Sequence, residues 1–238
     1  MLANVFNVPK HEVARIICEV LASSNSINLK EVHLVSTMDH ILPLIGGAFL
    51  EMSREEPSNE YPNVTQVDQN VITSAMRRRL KRKPSQLAIG DRVKVFISCD
   101  DITKLKVDAI VCSNDKQLSC SKGLAKRIAK LIGKQYKKKC KQAARGNILH
   151  TSDAVSIKTN RLGVIINVVV PRLSRLTKKI KKHDADTYKN LLSASFKKAF
   201  DEARKCGVSC LAVSPLGAGK VMYRTWETTN HSFTFIFR

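Results

Sequence analysis

One stretch constrains the fold more than any other. It is residues 93–125, VKVFISCDDITKLKVDAIVCSNDKQLSCSKGLA. Val93, Val95 and Ile97 alternate with Lys94, Phe96 and Ser98, a period-two pattern that predicts a strand. Asp100 and Asp101 then signal a turn. Ala109, Ile110, Val111 and Cys112 form a short apolar run, as in a buried strand of an α/β sheet. A loop rich in Ser, Asn and Asp leads into LAKRIAKLIGKQYKKKC. There Leu124, Ile128, Leu131, Ile132 and Tyr136 share one helical face, which predicts a single helix as far as Cys140. A strand followed by a loop at a helix N-terminus is where α/β proteins bind anions, because free amides and the helix dipole both point there.

The remaining chain alternates in the same way. Residues 9–22 read as a helix opened by Pro9, with Val13, Ile16, Ile17, Val20 and Leu21 on one side. Residues 31–36 read as a strand, and 39–52 as a helix weakened by Gly46 and Gly47. Residues 53–70 are polar, contain two prolines, and read as linker. Strands are expected at 154–159, 164–170 and 210–216, and a helix at 184–205 with Tyr188, Leu191, Leu192, Phe196, Ala199 and Phe200 as its core stripe.

Residues 101–125 resemble the opening of a macro domain, whose usual form is G-D-I-T, then D-A-I-V-N-A-A-N-x-x-L, then G-G-G-V-A. Asp101, Ile102 and Thr103 fit the first block. Asp108, Ala109, Ile110, Val111 and Leu118 fit the second, and Gly123, Leu124 and Ala125 the third. VIINVVVP at 164–171 resembles the V-I-H-x-V-G-P strand, and CLAVSPLGAG at 210–219 resembles I-A-F-P-x-I-G-T-G. The resemblance implies an α/β fold: a three-layer α/β/α domain with a central mixed sheet, spanning 88–220, its C-terminal part incomplete. Residues 1–52 resemble the closing helix-strand-helix of a preceding macro domain. Residues 53–87 are a polar then basic linker, and 221–238 an atypical tail. This organisation resembles the tandem macro domains of the macro-containing poly(ADP-ribose) polymerases. Two readings of 9–52 stand open: half a domain at the front of a spliced or truncated chain, or a segment that folds back to complete the second domain. An interior strand left out of a sheet exposes two edges, which is a physical reason for docking.

The resemblance also implies a ligand, ADP-ribose, free or attached to protein, and no cofactor. At the adenine end, Asp101 accepts from the adenine amine and the Ile102 backbone completes the contact. At the ribose and phosphate end the chain departs from the family. The two Asn become Cys112 and Asp115, and the triple glycine becomes Ser121, Lys122 and Gly123, followed by Leu124. The second phosphate loop, Leu216, Gly217, Ala218 and Gly219, is better kept. Hydrolytic members place an Asp where Ala125 stands, so no catalytic residue is assigned and the expected role is a noncatalytic reader. The GAGK at 217–220 is not a P-loop, since Ser214 and Val221 occupy its required Gly and Ser/Thr positions.

Charge supplies the alternative. The net charge is +21. Residues 1–70 carry 4 Lys/Arg against 9 Asp/Glu and the rest 37 against 11, so the basic part coincides with the macro-like part. A field of that size attracts RNA, DNA or poly(ADP-ribose). Residues 76–84, MRRRLKRKP, read as a nuclear address or polyanion contact, consistent with nucleus or cytoplasm. An inert isoform is the third reading. The seven cysteines include no C-x-x-C pair, so neither a disulfide framework nor a metal site is expected, and no apolar run is long enough to span a bilayer.

Overall fold

The computed structural model describes residues 10–23, 29–36, 85–89, 93–146, 149–171 and 182–216. In chain order these form α1 (Lys10–Ser23), β1 (Glu31–Val35), β2 (Ser85–Ile89), β3 (Val93–Ser98), a 3-10 turn (Ile102–Lys104) and β4 (Ala109–Asn114). Then follow α2 (Gly123–Ile132), α3 (Lys134–Gly146), β5 (Ala154–Lys158), β6 (Val164–Val169), α4 (Lys182–Lys205) and β7 (Cys210–Val213). All seven strands join one sheet in the order β2-β3-β1-β7-β4-β6-β5. The five central strands run parallel, and β2 and β5 close the two edges antiparallel.

The central strands are apolar on both faces because helices cover both, as parallel sheets require. On one face α1 and α4 pack together over Val32, Leu34, Val95, Ile97, Val111, Ile166 and Leu211. Val13, Ile16, Ile17, Val20 and Leu21 all point inward from α1, which is why apolar spacing alone predicts this helix. On the other face α2 and α3 cover Ile110, Cys112, Ile165 and Val169 through Ala125, Ile128, Tyr136 and Cys140.

The placement of β1 is the topological feature of most consequence. It comes first among the strands in sequence yet lies between β3 and β7. Glu31 pairs with Lys94 on one side and Cys210 on the other, and Leu34 with Ile97 and Val213. The amides of Lys30 and Glu31 both donate to the Ser209 carbonyl, at 2.8 and 3.0 Å. Both strand edges that would lie open between β3 and β7 are thereby paired.

Four expectations need correction or limits. The single helix expected through Cys140 is two helices, because Gly133 adopts φ +95 and ends α2 with its amide bonded to the Ala129 carbonyl. The stretch read as linker as far as 87 ends earlier, since Ser85 already starts β2. The last strand stops at Val213 rather than 216. The helix expected at 39–52, the basic cluster at 76–84 and the tail at 221–238 lie outside the described residues. Among the described residues, no helix is long and apolar enough to cross a membrane.

Candidate functional site

Five parallel strands place their C-terminal ends along one edge of the sheet. The segments that leave β3, β4, β6 and β7 therefore gather there, where open α/β sheets form ligand crevices. Two of these segments carry most of the predicted site residues.

The first is the turn beyond β3. Asp101 caps the 3-10 turn, its Oδ1 accepting from the Thr103 amide at 3.1 Å and the Thr103 hydroxyl at 2.7 Å. Its Oδ2 pairs with the guanidinium of Arg127 on α2. The Asp101 side chain is 15% exposed and that of Arg127 53%. Burial alone would raise the Asp101 pKa. The Thr103 hydroxyl and amide, with Arg127 and Lys104, outweigh it and hold the carboxyl below its ordinary value. Ile102 is buried beside it. Both carboxylate oxygens are thus engaged, one of them by a side chain that is half open to solvent.

The second segment is the loop 115–122 beyond β4, anchored from below by buried polar groups. Asn114 ends β4, and its Oδ1 accepts from the amides of Asp115 at 3.0 Å and Cys120 at 3.3 Å. Its Nδ2 donates to the Asn167 Oδ1 of β6 at 3.1 Å and approaches the Cys120 sulfur at 3.3 Å. The Tyr136 hydroxyl of α3 donates to the same Asn167 oxygen at 3.0 Å. The thiols of Cys120 and Cys140 lie 3.6 Å apart. The hydrogen bond with Cys140 pulls the Cys120 thiol below its ordinary value; burial opposes this and the Asn114 amide assists it. Leu118 and Cys120 both hold left-handed backbone, at φ 46 and 51, which these bonds stabilise.

Asp115 does not point a free carboxylate at the crevice. Its Oδ1 accepts from the Ser119 amide at 2.8 Å and its Oδ2 from the Ser119 hydroxyl, while Ser119 also meets the Ser121 hydroxyl at 3.0 Å. Ser121, Lys122 and Gly123 are exposed and Leu124 half-buried. Lys122 caps α2 without a side-chain hydrogen bond, so its side chain takes none of the first-turn amides. Gly123 holds φ +54 with open space around the position a Cβ would take.

Besides Ile102, two further predicted site residues are buried. The Cys112 side chain is fully buried among Ile110, Leu118 and Tyr136, because alternation along β4 turns it into the core. Leu216 is likewise buried. Gly217, Ala218 and Gly219 lie outside the described residues. The residues missed from the sequence are Asn114, Asn167, Tyr136 and Arg127. A lone Asn inside the apolar run VIINVVV is the available signal for Asn167, since a buried amide demands partners.

Residues 111–231 match the Macro domain family. The chain belongs to that family. The Oryza sativa APL macrodomain in complex with ADP-ribose is similar over 85% of this chain and 90% of its own, at 16% identity and a TM-score of 0.52. An Oceanobacillus iheyensis macrodomain with ADP is similar over 57% of this chain and 70% of its own, at 20% identity and a TM-score of 0.48. No match was found among curated proteins. In this macro domain α2, α3 and the cap residue Lys122 are strongly basic. Residues 122–146 contain ten Lys/Arg and no Asp/Glu, and all ten cations are exposed.

Proposed function

We propose that this macro domain is a noncatalytic reader of ADP-ribose, free or carried on protein. The observation that carries the reading is the arrangement at this sheet edge. An acceptor at Asp101 and the uncapped first turn of α2 at Gly123 stand on adjoining segments at one sheet edge. A carboxylate suits an exocyclic amine, and free helix amides suit a diphosphate. The ADP-ribose in the Oryza sativa structure supports the choice of ligand. Lys122, exposed at the cap, supplies positive charge where the loop carries Asp115.

Against hydrolysis stands Ala125, a buried methyl where the resemblance places the water-activating Asp of hydrolytic members. Asp115, in the loop before α2, is held by the amide and the hydroxyl of Ser119. Calorimetric titration of ADP-ribose into the wild type and an Asp101→Ala variant tests the reading. Micromolar binding by the wild type that is lost in the variant is expected. Absence of heat from folded protein overturns it, and release of ADP-ribose from a modified protein substrate overturns its noncatalytic part.

A second reading is favoured by the nine exposed cations of α2 and α3, joined by Lys122 at the cap of α2: contact with a polyanion such as RNA, DNA or poly(ADP-ribose). Binding of a single-stranded oligonucleotide that weakens steeply between low and physiological salt supports it. Binding indifferent to salt rejects it. The two readings are compatible in one chain, because α2 begins at the crevice and carries its cations outward.

A further inference from the structure

At the opposite end of the sheet from the crevice, where β1 and β7 begin, three side chains of different chemistry meet. Glu31 opens β1, Cys210 opens β7, and the two residues are directly paired across the strands. His33 follows two positions after Glu31 and so emerges on the same face. Its ring stacks on Phe96 of β3 with centroids 4.8 Å apart and planes at 14°. The His33 Nε2 lies 3.6 Å from the Glu31 Oε2, and the Cys210 sulfur 3.7 Å from that same oxygen. One ligand atom from each residue lies within 4.8 Å of the other two.

We propose that Glu31, His33 and Cys210 form a zinc-binding site that fastens β1 to β7. The geometry is the argument. Zinc bonds of roughly 2.0–2.3 Å in tetrahedral arrangement put neighbouring ligand atoms about 3.3–3.6 Å apart. Two of the three separations already stand close to that, and the third closes by side-chain rotation. Imidazole, thiolate and carboxylate together suit this borderline-soft cation, with a fourth position left for water. All three residues are half-buried, which leaves a path for loading.

The surroundings favour the charge. Asp108 lies beside the cluster, its Oδ2 accepting from the Cys210 amide at 2.9 Å, the Ser209 amide at 2.9 Å and the Ser209 hydroxyl at 2.7 Å. It fixes the backbone that carries the sulfur and adds a second negative charge nearby. Cys210 binds zinc as the thiolate, and its proton passes to solvent.

The consequence is structural. The ligands come from residues 31–33 and 210, far apart in the chain, so an ion bound to the folded state alone stabilises the insertion of β1. The site lies at the other end of the strands from the crevice and is independent of the ADP-ribose reading.

The test uses the full chain, stripped with a chelator and titrated with zinc, with cobalt(II) as the spectroscopic probe. The wild type is expected to bind one ion at micromolar or tighter affinity, to show a sulfur-to-cobalt charge-transfer band, and to melt several degrees higher with zinc. His33→Phe keeps a ring to stack on Phe96 and removes the nitrogen; Cys210→Ser removes the sulfur. Both, confirmed folded by circular dichroism, are expected to lose at least tenfold in affinity, and Cys210→Ser to lose the band. Cys206→Ser, altering an exposed thiol nearby in sequence, is expected to leave both unchanged. Failure of the wild type to bind, loss below tenfold in either folded variant, or loss in Cys206→Ser overturns the proposal.

Discussion

The two sides of the crevice solve the same problem in opposite ways. The turn beyond β3 holds its functional carboxylate from the surface, through Thr103 next door and the exposed Arg127. The loop beyond β4 is held from underneath, by Asn114 and its buried partners Asn167, Tyr136 and Cys120. Exposed ion pairs contribute little and exchange readily, whereas buried polar networks are costly to leave half-made. On the proposed reading the first side trades one partner for a ligand, while the buried bonds of the second keep its shape.

The largest effect should come from breaking the buried side. Asn114→Ala leaves the Cys120 amide and the Asn167 oxygen short of partners, and should destabilise the domain by about 2–4 kcal/mol. Denaturant unfolding measures this; a loss below about 1 kcal/mol would mean the loop holds itself. On the exchanging side, Asp101→Ala should weaken ADP-ribose at least tenfold while shifting stability by only about 1 kcal/mol, the loss of a cap. Calorimetry and thermal unfolding on one preparation separate the two quantities.

Gly123→Ala probes the junction. Its φ of +54 strains any side chain, although nothing crowds the space, so the cost should be about 1 kcal/mol in stability. Arg127→Ala should have a smaller effect and the opposite sign for binding. Freeing the Asp101 Oδ2 should tighten ADP-ribose by about two- to fivefold, within the range of an exposed pair. Unchanged or weaker binding would show that the guanidinium serves the ligand itself.

Acid should act on Asp101 in a known direction. Its folded pKa lies below the ordinary 3.8, so its contribution is complete above that pH and declines as pH falls through the folded value. The Asp101→Ala variant should therefore lose less stability than the wild type below pH 3.8. Parallel curves would contradict the hydrogen bonds at Thr103.

Much of the fold is legible in the order of the residues. The strands at β3, β4 and β6 and the helices α1 and α4 follow from apolar periodicity, because a sheet covered on both faces and helices with one inner face leave plain patterns. The role of Asp101 is legible only as an acceptor at a turn. That Arg127 holds it is not, since the two are 26 positions apart and surface cations look alike in sequence. The break at Gly133 escapes notice because the apolar face continues past it to Tyr136, and periodicity does not register a backbone angle.

The amino-acid sequence by itself determined the alternation of strands and helices, the family blocks around Asp101, Asp108 and Gly123, and the concentration of positive charge after residue 70. Tertiary structure decided what those residues face. Pairing β1 between β3 and β7 brought Glu31 and His33 to Cys210, a cluster no local spacing announces. Pairing β4 with β6 set Asn114 against Asn167, and it turned Cys112 inward instead of toward a ligand. The physical reason is common to all three. Local sequence sets backbone preference and which face is apolar, but strand register alone chooses which distant side chains share that face.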